Sequence, residues 1–160
     1  MKKNEEKRTI QLFIRIGNKI TEAPLDDIRV AEGYYQFSDK GKKNEGKRVT
    51  ILTKKKRYKP AEEIRVIHVL EIMDKGHTIY LSGPKAIYNE FINDIVVKHH
   101  EKKLEPDPFM PETYNGRTAE SPGVDFNFEI SSYTFQQKGL YKIYWAPGAL
   151  RSNTLEIEIK

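Results

Sequence analysis

VDFNFEISSYTFQQKGLYKIYWAPGALRSNTLEIEIK, residues Val124–Lys160, decides the fold class. Val124, Phe126, Phe128 and Ile130 alternate with Asp125, Asn127, Glu129 and Ser131, the period of a strand with one face buried. Ser131-Ser132 breaks the phase before Tyr133 and Phe135, so a bulge near the serines is expected. Gln136–Gly139 reads as a turn. Tyr141, Ile143 and Trp145 then alternate with Lys142 and Tyr144, and Leu155, Ile157 and Ile159 alternate with Glu156 and Glu158. Three consecutive strands at the end of a chain predict an all-β, antiparallel sandwich.

Upstream, Ile10, Leu12, Ile14 and Ile16 share one face of a strand over Thr9–Ile16, with a turn at Gly17-Asn18 and a returning strand from Ile20. Ala23–Val30 and Gly33–Phe37 each read as a further short strand, and Ser38–Lys47 as a polar loop. Val49–Thr53 resumes the alternation. In Ile64–Met73, Ile64, Val66, His68, Leu70 and Ile72 share one face, and Arg65, Ile67, Val69, Glu71 and Met73 the other. Both faces are largely apolar, which predicts a central strand covered on both sides. Thr78–Ser82 is the next strand. In Gly83–Pro122 two readings stand: a short helix with Ile87, Tyr88, Phe91, Ile92, Ile95 and Val96 at helical spacing, or a hairpin turning at Asn93-Asp94. Leu104–Pro122, with four prolines, is irregular. The organisation expected is an extension over 1–48 packing on a sandwich domain over 49–160.

The 160 residues suit one core. With no cysteine, disulfides, thiolate metal sites and cysteine nucleophiles are excluded. The net charge of +5 is concentrated in Lys40–Lys47 and Lys54–Lys59 and, against 32% charged residues, reads as solvated loops. No run is long enough to span a bilayer as a helix. The chain reads as cytoplasmic if Met1 is the native start and as exported if a leader has been removed.

No catalytic constellation is legible. His68 reads as a satisfied histidine on a sheet face, and His99-His100-Glu101 would need a distant third ligand, such as Asp94 or Glu105, to hold a metal. No nucleophile elbow or phosphate loop occurs, so a non-enzymatic module without metal or cofactor is expected. Its partner is expected to be another protein. Loops at one end of such a sandwich supply the surface: Lys75 and His77 in one, Leu150 and Arg151 in another, with Tyr114 and Arg117 from the proline-rich segment. Carbohydrate binding is the first alternative, through coplanar, exposed Tyr34, Tyr35 and Tyr80. Nucleic-acid binding is the second, and no recognised motif supports it.

Two stretches carry a family resemblance. Thr53–Val66, TKKKRYKPAEEIRV, is similar to the opening of macroglobulin-like domains at Lys55, Tyr58, Pro60, Glu62 or Glu63, and Ile64, with Ala61 where those domains place glycine. Gly139-Leu140-Tyr141 resembles the tyrosine corner of immunoglobulin and fibronectin type III domains. The resemblance, to bacterial-type immunoglobulin-like modules over Val49–Lys160, implies a fold and a hydrogen bond from the Tyr141 phenol to upstream backbone. It implies no activity.

Overall fold

The computed structural model describes residues 10–80, 83–97 and 118–160. In chain order the strands are β1 (Phe13–Ile16), β2 (Lys19–Glu22), β3 (Lys47–Leu52), β4 (Arg57–Tyr58), β5 (Ile64–Ile72), β6 (Thr78–Tyr80), β7 (Glu90–Ile92), β8 (Ile95–Val97), β9 (Thr118–Glu120), β10 (Gly123–Asp125), β11 (Ser131–Tyr133), β12 (Gly139–Trp145) and β13 (Leu155–Ile159). One helix, α1 (Leu25–Glu32), and a tight helical turn at Gly33–Gln36 lie between β2 and β3. No helix among the described residues is long and apolar enough to cross a membrane.

β5 is the spine. It pairs antiparallel with β3, β10 and β11. A second sheet, in the order β4-β13-β12-β7-β8, lies across from it. Its β4–β13 pair is parallel, while its other pairs are antiparallel. The two faces of β5 divide the apolar residues as the alternation predicts. Ile64, Val66, Leu70 and Ile72 meet Ile143, Trp145, Ile157 and Ile159 of the facing sheet. Ile67 and Val69 meet Ile10, Leu12, Ala31, Tyr34 and Phe126 in a second core under the N-terminal segment. Burying both faces explains why β5 tolerates so little polar alternation.

The N-terminal segment differs from the strands expected over Ala23–Val30 and Gly33–Phe37. Pro24 stands at the N-cap position of α1 without a side-chain cap bond, and Asp26-Asp27 occupy its first turn, where carboxylates are favoured. Ala31 is buried and Ile28 half-buried against the β5 sheet, so helical spacing is what buries this short apolar stretch. Asp27 receives Arg65 Nε at 3.1 Å on both oxygens and Nη2 at 2.8 Å, clamping α1 to β5. Between Gly83 and Val97 the hairpin prevails over the helix: Asn93 and Asp94 take φ of 50° and 68°, the left-handed pair that a two-residue hairpin turn requires.

Val124–Ile130 does not keep one face, either. β10 ends with Asp125 opposite Leu70 and β11 begins with Ser131 opposite Val66, so five residues, 126–130, stand against three, 67–69. This excursion falls before the serines. It sends Phe128 into the sandwich core and Phe126 into the other, and it buries Asp125 and Asn127, expected on the solvent side. The freed backbone is satisfied by residues 83–90: Lys85 N–H donates to Asn127 O at 3.2 Å and Glu129 N–H to Lys85 O at 2.8 Å.

Tyr141 OH donates to Gln137 O, four residues upstream, at 2.8 Å. Ala61, at the position of the expected glycine, has φ of +68°. A side chain there is strained. Ala61→Gly is therefore expected to stabilise the fold by about 0.5–1 kcal/mol after glycine's extra unfolded-state freedom is subtracted. A raised urea midpoint at unchanged slope would register it, and an unchanged or lowered midpoint would contradict it.

Candidate functional site

The loops after β5 and β12 lie on either side of the turn at residues 44–46. Met73 N–H donates to Gly46 O at 2.7 Å, and Asn44 Nδ2 donates to Ala149 O at 3.1 Å, so the turn at 44–46 bridges them. Gly46 is required there, because its φ is +76° and a Cβ would lie 2.2 Å from the Asp74 carboxylate. Lys75 is exposed and His77 half-buried in the first loop. His77 N–H donates to Ser121 Oγ at 2.9 Å, and that hydroxyl donates to Asp74 O at 2.6 Å, which fixes the loop against β9 and β10.

In the second loop the two expected anchors separate. Leu150 is only 8% exposed and belongs to the sandwich core. The Pro147 turn, closed by Leu150 N–H on Pro147 O at 3.0 Å, folds it inward. As a core residue it cannot serve as a docking anchor in this conformation. Arg151 is exposed, and its guanidinium lies 3.7 Å from the centroid of the Tyr144 ring. Tyr144 stacks on Phe91 at 4.9 Å and 10° because β12 and β7 place them directly opposite. Arg151 is thus held at the end of a cross-strand stack, with little rotamer freedom left to lose on binding.

Arg151 borders a cleft of about 660 Å³ between residues 39–44 and 149–154. Its walls are set by buried polar bonds. Asn153 Oδ1 accepts from Ile51 N–H at 2.8 Å and its Nδ2 donates to Ile51 O at 3.1 Å, while Ser152 Oγ accepts from Trp145 N–H at 2.8 Å. Gly41 N–H donates to Thr50 Oγ1 at 3.1 Å on the opposite wall. Lys40, Lys42, Lys43 and Arg151 line this cleft with Asp39, four cations to one carboxylate. Lys40 is pinned by donation to Phe37 O at 2.9 Å and lies 4.6 Å from the Tyr34 ring centroid. Lys42, Lys43 and Arg151 have no ion pair among the described residues, whereas Arg48, Arg57 and Arg65 are each matched to a carboxylate.

The tyrosines expected to form a flat platform do not do so. Tyr34 is 1% exposed, donates to Glu71 Oε1, and meets Tyr35 edge-on at 73°. Tyr80 instead lines a second cleft, of about 320 Å³, with His77, Lys47 and Asp125. Tyr114, Arg117 and His99-His100-Glu101 lie outside the described residues. Among the described residues no group of three or more His, Asp or Glu is placed to hold a metal ion.

His68 is the satisfied sheet-face histidine that the sequence predicts, but sequence reasoning passed over its partners inside the sandwich. His68 Nδ1 bonds Glu129 O at 3.0 Å and Nε2 bonds Glu90 Oε2 at 2.6 Å, with both side chains fully buried. Ser131 and Tyr133 donate their hydroxyls to Glu90 Oε1, and Trp145 packs edge-on against the imidazole at 4.9 Å. A nucleophile relay would place the serine and the acid on opposite ring nitrogens. Here both approach Nε2, with Ser131 Oγ at 3.3 Å, and backbone occupies Nδ1. The cluster therefore ties β5, β7 and β11 together and offers no nucleophile. Beside it, Lys85 Nζ meets Asp125 Oδ2 at 3.0 Å. The five-against-three excursion brings Asp125 inside against residues 83–90, and the phase break at the serines marks a bulge without telling which polar groups it buries.

Burial, then Glu71, pushes the Tyr34 phenol far above its ordinary range, and burial, then Glu90, does the same to Tyr133. The folded chain thus keeps two protons that the unfolded chain releases near pH 10. Their stabilisation is complete below about pH 10 and is lost as pH rises further. The urea midpoint is expected to fall above about pH 10, and to fall less steeply in Tyr34→Phe or Tyr133→Phe. Equal steepness in all three proteins would contradict the assignment.

Family models, curated proteins and solved structures were all searched, and none matches this chain.

Proposed function

We propose that this chain is a non-enzymatic, immunoglobulin-like binding module that takes an acidic segment of a partner protein in the cleft between residues 39–44 and 149–154. The observation that carries the reading is the state of the cleft's cations. Arg151 is oriented by Tyr144, and Lys42, Lys43 and Arg151 lack carboxylate partners among the described residues. Converging cations left without partners are poised for a ligand's carboxylates, and an oriented arginine is the usual centre of such an interface. The Tyr141 bond to Gln137 O supports the immunoglobulin-like part of the reading. Nucleic acid is the weaker reading at this place: the Tyr144 ring is already engaged by Phe91 and Arg151 and offers no free platform for a base.

A labelled oligo-glutamate peptide titrated by fluorescence anisotropy tests this. The triple variant Lys42→Ala/Lys43→Ala/Arg151→Ala is expected to bind about tenfold or more weakly than wild type. Equal affinity would remove the cleft from the function. Tighter binding of a single-stranded oligonucleotide than of the peptide at the same ionic strength would overturn the choice of partner.

A further inference from the structure

Lys85 and Asp125 form a buried amine–carboxyl pair in direct contact. Lys85 Nζ lies 3.0 Å from Asp125 Oδ2 and 3.2 Å from Asn127 O, and the two side chains are 0% and 2% exposed. The Phe128 ring centroid is 4.9 Å from Nζ. Asp125 Oδ1 accepts the Asn127 backbone N–H at 3.0 Å. An amine is therefore in contact with a carboxyl whose other oxygen already has a backbone donor, the arrangement that stabilises a tetrahedral oxyanion. We infer that Lys85 and Asp125 condense to an intramolecular amide joining Nζ to the Asp125 Cγ.

The step balances without a co-reactant. The neutral Lys85 amine attacks Cγ, and the carbonyl electron pair moves onto Oδ1, where the Asn127 N–H receives it. A proton passes from Nζ to the hydroxyl at Oδ2, the Cγ–Oδ2 bond breaks, and one water leaves as the carbonyl reforms. Nothing is oxidised or reduced. Burial acts on both partners in the required direction, pushing the Lys85 ammonium down and the Asp125 carboxyl up, each towards its neutral, reacting form. Asp125 also borders the cleft of about 320 Å³, which gives the released water a way out. The segment carrying Lys85 continues into β7 of one sheet, and Asp125 ends β10 beside β5 of the other. The amide would staple the two sheets covalently in a chain that has no cysteine.

Mass spectrometry of the purified, soluble wild-type protein under denaturing conditions decides the matter. The intact mass is expected to be lower than the sequence mass by one water, and trypsin should yield a branched peptide joining the Lys85 and Asp125 segments. Lys85→Arg and Asp125→Ala should each show the full sequence mass, a readout that does not depend on either variant folding well. A wild-type protein of full mass would overturn the inference. So would a one-water loss with Lys85 still open to trypsin, which would mark a cyclised aspartate instead.

Discussion

Replacing Glu90 by alanine is expected to lower the unfolding free energy by about 3–5 kcal/mol, because several buried polar groups are left without their acceptor at about 1–3 kcal/mol each. Three groups lose their acceptor together: His68 Nε2, Ser131 Oγ and the Tyr133 phenol, with His68 sealed behind Trp145. Buried in the interior, those groups then bear the cost of desolvation without a compensating bond. Because domains of this size hold only about 5–15 kcal/mol in total, most of the protein should unfold in moderate urea. Glu90→Gln is the informative control. A neutral imidazole protonated at Nδ1 still donates to Glu129 O, and its Nε2 can then accept from the glutamine amide, so the loss should be about half as large or less. If alanine and glutamine cost the same, the hydrogen bonds of the cluster are not what stabilises it.

Gly41→Ala is expected to cost on the order of 3 kcal/mol and to reshape the basic cleft at the same time. A Cβ at Gly41 would lie 1.9 Å from the Val49 carbonyl oxygen and 3.1 Å from the Ser152 Cα, both backbone atoms that cannot rotate away. The strand or the loop must move, and either movement strains the Gly41–Thr50 bond and the Ser152–Asn153 frame. Urea titration should show the lost stability, and the oligo-glutamate peptide should bind more weakly to the fraction that remains folded. Wild-type stability with wild-type affinity would show that the cleft wall yields freely.

The strands with plain alternation are legible in the sequence: β5, β12 and β13 fall where Ile64–Met73, Tyr141–Trp145 and Leu155–Ile159 place them. The double coverage of β5 also followed from the apolar residues on both its faces. Ala23–Val30 was misread because so short an apolar stretch fits either period, and the decision came from Pro24, Asp26-Asp27 and the Arg65 clamp. Ile87–Val97 was ambiguous for the same reason, and the turn-forming pair Asn93-Asp94 settled it. At the site, Arg151 could be picked out because it stands beside a proline-glycine turn. Leu150 could not be placed, since an apolar residue in a loop reads alike whether it faces a partner or the core. Lys85, Glu90 and Asp125 look like ordinary surface charges in the sequence. Their burial is a tertiary fact, produced where 126–130 leaves the β5 ladder and residues 83–90 take its place.

Affinity capture from the native organism's lysate, treated with nuclease and run with wild type beside the Lys42→Ala/Lys43→Ala/Arg151→Ala variant, tests the central claim most directly. The account predicts a protein held by wild type, lost from the variant, and bound through an acidic segment whose synthetic peptide competes it off. The same proteins on both baits, or a captured protein that the acidic peptide fails to displace, would contradict a binding function at this cleft.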